Sequence, residues 1–226
     1  MKAVIFDLDE TLINRGGSLL LYAERFWEEK YQHIALSKPE FVETFMRLDG
    51  NGYVPRETFF YNMAGLIKSP QITVEVIHDF FYSEIDGAWS QPLLFESALD
   101  GLAMLKQGGI LTGVISNGGT QNQSTKIENA DLRPYLDHVL ISEEFGAKKP
   151  NPAIFNAMLG QLNVSAQDAW FVGDHPVFDI CAAHAVGMRT IWIERALQWP
   201  EKVDFCFDYR VDKLGKAFEI LRNQIA

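Results

Sequence analysis

Cysteine is scarce in this chain. Cys181 and Cys206 are the only two among 226 residues, and they form no CxxC pair. So few cysteines exclude a disulfide framework and a cysteine-rich metal site, and the sequence reads as two reduced thiols in a reducing compartment. Basic residues are also in deficit, with 20 Lys and Arg against 30 Asp and Glu and a formal net charge of -10. That balance argues against binding a nucleic-acid polymer, which needs a concentrated basic surface. A single local lysine can still hold a small phosphorylated ligand. No apolar run approaches the roughly 20 residues that span a bilayer, which argues against a membrane span. The N-terminus offers one lysine and a short apolar run before the first acid, too little for a signal peptide. A cytoplasmic protein is expected. Internal repeats and low-complexity segments are lacking as well.

What is present is a strong apolar content, 47% hydrophobic and 12% aromatic, enough for a substantial core. Five short apolar runs read as strands buried on both faces: Ala3–Phe6, Leu111–Ser116, His138–Ser142, Ala169–Val172 and Arg189–Ile193. Helical patterns alternate with them at Ser97–Gln107, Thr120–Ala130, Pro152–Leu162, Val177–Val186 and Lys213–Asn223. This β-α alternation predicts an α/β fold with a parallel sheet covered by helices. Between Asn14 and Ser90 the alternation stops. Four helical patterns follow one another there, near Ser18–Tyr31, Pro39–Leu48, Pro55–Ile67 and Val74–Glu84, and the stretch is rich in Phe, Tyr and Trp. It reads as an all-α domain over residues 15–91, inserted into a core domain made of residues 1–14 and 92–226. Most of its aromatics read as core packing.

The chemistry concentrates at strand ends. The first run leads into Asp7-Leu8-Asp9-Glu10-Thr11, and the fourth into Gly173-Asp174 and then Asp179. Parallel strands ending on one edge deliver their last residues to one crevice. Two carboxylates about 4 Å apart repel by roughly 4 kcal/mol at an effective dielectric of about 20, so a fold that gathers four of them calls for a cation. Asp7 is placed to attack phosphorus and form an acyl phosphate. Asp9 is placed to protonate the leaving oxygen and then activate water, with Thr11 orienting it. Ser116-Asn117-Gly118-Gly119 closes the second strand; a hydroxyl, an amide, glycines and a helix start suit a phosphate, with Ser116, Asn117 and also Thr11 as the substrate-binding side chains. In Lys148-Lys149-Pro150-Asn151-Pro152 the prolines stiffen the loop. Lys149 is the lysine set to neutralise the attacking group and the transferring oxygens. Mg²⁺ prefers a few carboxylate oxygens and keeps water and substrate phosphate in its shell. Asp7, Asp174 and the backbone carbonyl of Asp9 are the expected ligands, with Asp179 steadying them from behind. His175 reads as a loop imidazole rather than a base, because Asp9 already fills that role.

The four segments FDLDET, VISNGG, KKPNPAIF and VGDHPVFD, in this order, resemble those of the haloacid dehalogenase-like (HAD) hydrolase superfamily. The resemblance covers residues 1–13 and 95–195. It implies a Rossmann-like core, Asp7 as nucleophile, Asp9 as general acid/base, Ser116 as phosphate ligand, Lys149 as charge-balancing lysine and Asp174 with Asp179 as the acidic metal motif. It also implies that the helical insertion is a C1-type cap, a domain that selects the substrate. The dehalogenases that give the family its name resemble an Asp-x-Tyr pattern, whereas Asp9 stands at that position here and points to phosphate chemistry. The function expected is a Mg²⁺-dependent phosphatase of a small phosphorylated metabolite. A phosphomutase or phosphotransferase on the same scaffold, and a phosphorylatable signalling module, are the alternatives. Within the insertion, Asp49-Gly50-Asn51-Gly52 fails the calcium-loop spacing and reads as a turn between helices, flanked by Arg47 and Arg56 as possible contacts for a substrate's remote part. A monomer or a homodimer is equally compatible with the sequence.

Overall fold

The structure, a computed structural model, describes residues 1–30, 33–85 and 87–225. In chain order its elements are β1 (Ala3–Phe6), α1 (Arg15–Lys30), α2 (Lys38–Asp49), α3 (Arg56–Ile67), α4 (Val74–Phe81), α5 (Ala98–Gln107), β2 (Leu111–Ser116) and α6 (Thr120–Asn129). They continue with β3 (His138–Ile141), α7 (Ser142–Phe145), α8 (Pro152–Leu162), β4 (Ala169–Gly173), α9 (Ala182–Ala185), β5 (Arg189–Ile193), β6 (Tyr209–Val211) and α10 (Leu214–Arg222). The chain divides into two units, one of residues 1–14 and 94–226 and one of residues 15–93. The Tyr31 end of the first helical pattern lies outside the described residues.

The first unit is the α/β fold expected from the alternation. Its sheet has six strands in the order β3-β2-β1-β4-β5-β6, all parallel. The strands are apolar throughout because both faces are covered. Val4, Phe6, Val114, Trp170 and Val172 pack on one side with Leu102 and Leu105 of α5 and Phe218 and Leu221 of α10. Ala3, Ile5, Ile115 and Phe171 pack on the other with Ile154, Phe155 and Met158 of α8. From β1 the chain moves to β2 on one side, and after β3 it returns to β4 on the other. That reversal makes the β1–β4 crevice the topological switch point, where open α/β sheets bind ligands.

Three local departures from the sequence expectations have physical causes. β6 is a three-residue edge strand, half exposed, and too short to show periodicity. The helix expected over Val177–Val186 is interrupted: residues Pro176–Cys181 form a wider turn, with Ile180 N–H donating to His175 O at 3.3 Å, before α9 begins. Cys181 and Cys206 are joined as a disulfide with Cα atoms 5.5 Å apart, which corrects the reading of two free thiols. The return of the chain beside β5 brings them together, since the carbonyl of Cys206 accepts from Thr190 Oγ1 at 3.0 Å. With both cysteines in the disulfide, no free thiol remains to indicate a reducing compartment. Among the described residues, no helix is long and apolar enough to cross a membrane.

The second unit consists of α1 to α4 around an aromatic core. Tyr22, Phe26, Phe41, Phe45, Phe59, Phe60, Phe81 and Trp89 are all buried in it. The polar turn after α2 is fixed by Asp49. Its carboxylate accepts two hydrogen bonds from Arg15 at 2.8 Å each, one from Arg56 at 2.8 Å and one from Gly52 N–H at 3.0 Å. Gly50, Asn51 and Gly52 all take positive φ, which the tight reversal demands and which glycine and asparagine tolerate best. Arg56 therefore serves this turn, and its guanidinium also lies 5.4 Å from the ring centres of Phe59 and Phe81.

Candidate active site

Asp7 and Asp9 follow β1, Ser116 ends β2, Lys149 lies before α8, and Asp174 and Asp179 follow β4. The sheet continues one residue past β1, because Asp7 N–H donates to Val172 O at 2.9 Å. Past that point the chain turns sharply. Glu10 takes φ of 59°, an uncommon region for a side-chain-bearing residue, and its N–H donates to Ile13 O at 2.7 Å. Arg195, just past the end of β5, braces this turn: its Nε donates to Glu10 O at 3.2 Å while its guanidinium lies 3.8 Å from the centre of the Phe95 ring.

The structure brings Asp7, Asp174 and Asp179 together, with one carboxylate oxygen of each within 4.8 Å of the others. Lys149, almost wholly buried, lies under them. Its Nζ is 2.5 Å from Asp7 Oδ1 and 2.7 Å from Asp179 Oδ1, the latter an ion pair off the line of a hydrogen bond. Asp179 Oδ2 accepts from His175 N–H at 3.0 Å. Gly173 permits this approach, since a Cβ there would lie 2.5 Å from Asp179 Oδ2. Asp174 is steadied through its carbonyl, which accepts from Trp192 Nε1 at 2.9 Å.

Burial and charge crowding shift two of these acids. Burial, reinforced by Asp179 and Asp9, pushes Asp7 up to about 7 against the pull of Lys149. Burial, with Asp179 and Asp7 adding to it, pushes Asp174 up to about 9. Burial alone would lower Lys149, but the two facing carboxylates outweigh it and hold the ammonium above its usual range. His175 is lowered, chiefly by burial. Its Nδ1 accepts from the N–H groups of Val177 and Phe178 at 3.1 Å each, so the imidazole caps the turn that carries Asp179. Lys149 sets one positive charge against the three carboxylates, and their hard oxygen donors fit a divalent cation such as Mg²⁺.

Other expected residues are engaged differently. Thr11 Oγ1 is buried without a hydrogen-bond partner, so Thr11 does not orient Asp9. Lys126 and Gln123 of α6 do. Lys126 Nζ lies 2.8 and 2.7 Å from the two oxygens of Asp9, and Gln123 Nε2 donates to Asp9 Oδ2 at 3.1 Å and to Ser116 Oγ at 2.5 Å. The Asn117 side chain binds the backbone of Lys149 in both directions, accepting from its N–H at 2.8 Å and donating to its carbonyl at 3.0 Å. It fixes the lysine loop, a role the sequence reading had given to the prolines alone. In the glycine loop, Gly118 N–H donates to Ser142 Oγ at 3.0 Å and Thr120 N–H to Glu143 at 2.7 Å. The sequence reading missed Gln123 and Lys126 altogether. Their signal was two buried polar residues spaced i, i+3 on an otherwise polar helix, which only the sheet beneath makes legible.

Known proteins resemble this chain over most of its length. The haloacid dehalogenase-like hydrolase family matches residues 4–193. A glyceraldehyde 3-phosphate phosphatase of Pyrococcus furiosus is 36% identical over 99% of this chain and 94% of its own length. A ribulose-1,5-bisphosphate 5-phosphatase of Halopiger xanaduensis is also 36% identical, over 97% of this chain and 98% of its own. The crystal structure of a HAD phosphatase from Thermococcus onnurineus shares the fold, with a TM-score of 0.65 at 23% identity and 98% of both chains covered. A match that spans both the Asp7 strand and the Asp174 strand, joined to relatives alike over their full length, makes this chain a member of the haloacid dehalogenase-like hydrolase family.

Proposed function

We propose that this hydrolase is a Mg²⁺-dependent phosphatase of a small phosphorylated metabolite, working through a phosphoryl group carried on Asp7. The observation that carries this reading is the contact of Lys149 with Asp7 at 2.5 Å beside Asp174 and Asp179: a carboxylate nucleophile built into a site for neutralising charge. Full-length relatives named as phosphatases of glyceraldehyde 3-phosphate and ribulose 1,5-bisphosphate support the substrate class.

The chemistry runs in two displacements. An Asp7 oxygen attacks phosphorus as the P–O bond to the leaving group breaks, and Asp9 delivers its proton to the departing oxygen. Asp9, now ionised, takes a proton from water. The water oxygen attacks the same phosphorus, the bond to Asp7 breaks, and phosphate leaves with the enzyme restored. Ser116 and Lys149 hold the phosphoryl oxygens through both steps. Asp7, Asp174 and the Asp9 carbonyl would hold Mg²⁺, with Asp179 bracing Lys149 and the turn that follows β4. Bound there, the ion would offset the charge of attacking group and substrate. Residues 15–91 act as the cap that selects the substrate.

The test is phosphate release from a panel of phosphorylated metabolites that includes glyceraldehyde 3-phosphate, with and without Mg²⁺, beside Asp7→Asn. Release that requires both the metal and Asp7 is expected. Release unaffected by Asp7→Asn would overturn the nucleophile, and isomerised substrate without free phosphate would make the protein a mutase.

A further inference from the structure

Lys126 occupies an unusual place for a lysine. Only 3% of it is exposed, yet its partner Asp9 is 22% exposed at the side chain. The ammonium is thus buried beneath an acid that faces solvent, the reverse of a lysine reaching along a surface. A buried ammonium must place its three N–H donors, and here both oxygens of Asp9 and the Oε1 of Gln123, at 2.8 Å, accept them. Gln123 is as deeply buried and uses its whole amide. Its oxygen accepts from Lys126, and its nitrogen donates to Asp9 and to Ser116. Ser116 Oγ accepts that bond, which leaves its own O–H as the donor to offer elsewhere.

We propose that Gln123 and Lys126 are positioning residues that lock the side chain of Asp9 and the donor direction of Ser116 into one relay on α6. The inference rests on the phosphatase reading and extends it, by naming what aims the proton-transfer group. A carboxylate on a strained turn has several rotamers, and proton transfer demands one of them. Two buried groups spaced i, i+3 on a helix point the same way and fix that choice from a rigid element.

The role is separable from plain structural support by the leaving group. Phenol binds its proton far more tightly than p-nitrophenol, so phenyl phosphate needs an acid for its departing oxygen and p-nitrophenyl phosphate hardly does. In kcat/KM, which reports steps up to transfer onto Asp7, Lys126→Met is expected to cost about 10²-fold on phenyl phosphate. On p-nitrophenyl phosphate the cost stays within a few-fold. Lys126→Arg restores most of the loss, and Lys126→Met in an Asp9→Asn background costs nothing further, as residues acting as one unit do. Equal losses on the two esters, or a full additional loss in the Asp9→Asn background, would overturn the proposal. Should Lys126→Met not fold, Gln123→Met keeps the ion pair and removes the link to Ser116. The same selective loss on phenyl phosphate is expected of it, and equal losses overturn the relay. A wild-type protein that releases phosphate from neither the esters nor the metabolite panel sinks the phosphatase reading and this proposal with it, whereas an active wild type with an indifferent Lys126→Met sinks the relay alone.

Discussion

Gly173 and Asp179 are set so close that a single methyl on the glycine would lie 2.5 Å from the Asp179 carboxylate. The strand thus ends in glycine because Asp179 folds back over it. Asp179 in turn ion-pairs with Lys149 at 2.7 Å. Gly173→Ala is expected to push Asp179 off Lys149 and to lower turnover by about 10²-fold, the scale of a 1 Å misplacement at a reacting centre. Overpacking should cost about 1–3 kcal/mol of stability. Steady-state rates and urea unfolding check the two effects separately.

Lys149 carries the charge balance of the site from a buried position. Lys149→Met should leave the acidic cluster without its only cation among the contacts described above, and turnover should fall by at least about 10³-fold, in line with loss of a preorganised electrostatic contact. Lys149→Arg should rescue poorly, because the planar guanidinium cannot occupy the point between Asp7 and Asp179. Rates of both variants under saturating Mg²⁺ decide this.

The raised carboxylates make stability depend on pH in a definite direction. Folded Asp7 titrates at about 7 and Asp174 at about 9, both well above the ordinary value of 3.8. Their protonated forms favour the fold, so this contribution is complete below about pH 4 and is lost as pH rises through 7 and towards 9. In EDTA the melting temperature should therefore decline from about pH 6 to 9. Mg²⁺ replaces the protons, and its stabilising increment should grow across the same interval. An increment that shrinks with rising pH would contradict the assignment of these acids to the metal.

Much of this was legible in the sequence. Strands Ala3–Phe6, Leu111–Ser116 and Arg189–Ile193 begin and end where the apolar runs do, because a strand covered on both faces must be apolar along its whole length. Pro152–Leu162 was equally plain, with proline in the first turn and Asn151 accepting from Ala153 N–H as its cap. Tyr209–Val211 was not, since a three-residue edge strand with an exposed arginine at its centre leaves no apolar run. The acids of the site announced themselves by following strands. Gln123 and Lys126 could not, because their burial depends on where Asp9 comes to rest, 117 residues earlier for the lysine.

In the helical unit, Asp49 is 1% exposed and holds both Arg15 and Arg56. Asp49→Ala removes both hydrogen bonds that the buried guanidinium of Arg15 makes to it and should destabilise by about 3–5 kcal/mol. Arg56→Met should cost less, because Arg56 is a quarter exposed at its side chain. Denaturant titration of the two variants beside wild type gives the order.

The central claim is that phosphorus passes through Asp7. Acid quenching during steady turnover, followed by borohydride, reduces an aspartyl phosphate to homoserine and marks the residue that carried it. Peptide mass spectrometry should find homoserine at position 7, dependent on substrate and Mg²⁺ and enriched in Asp9→Asn, where the second displacement is slowed. Turnover without reduction at position 7, or with the mark on another acid, would contradict the account.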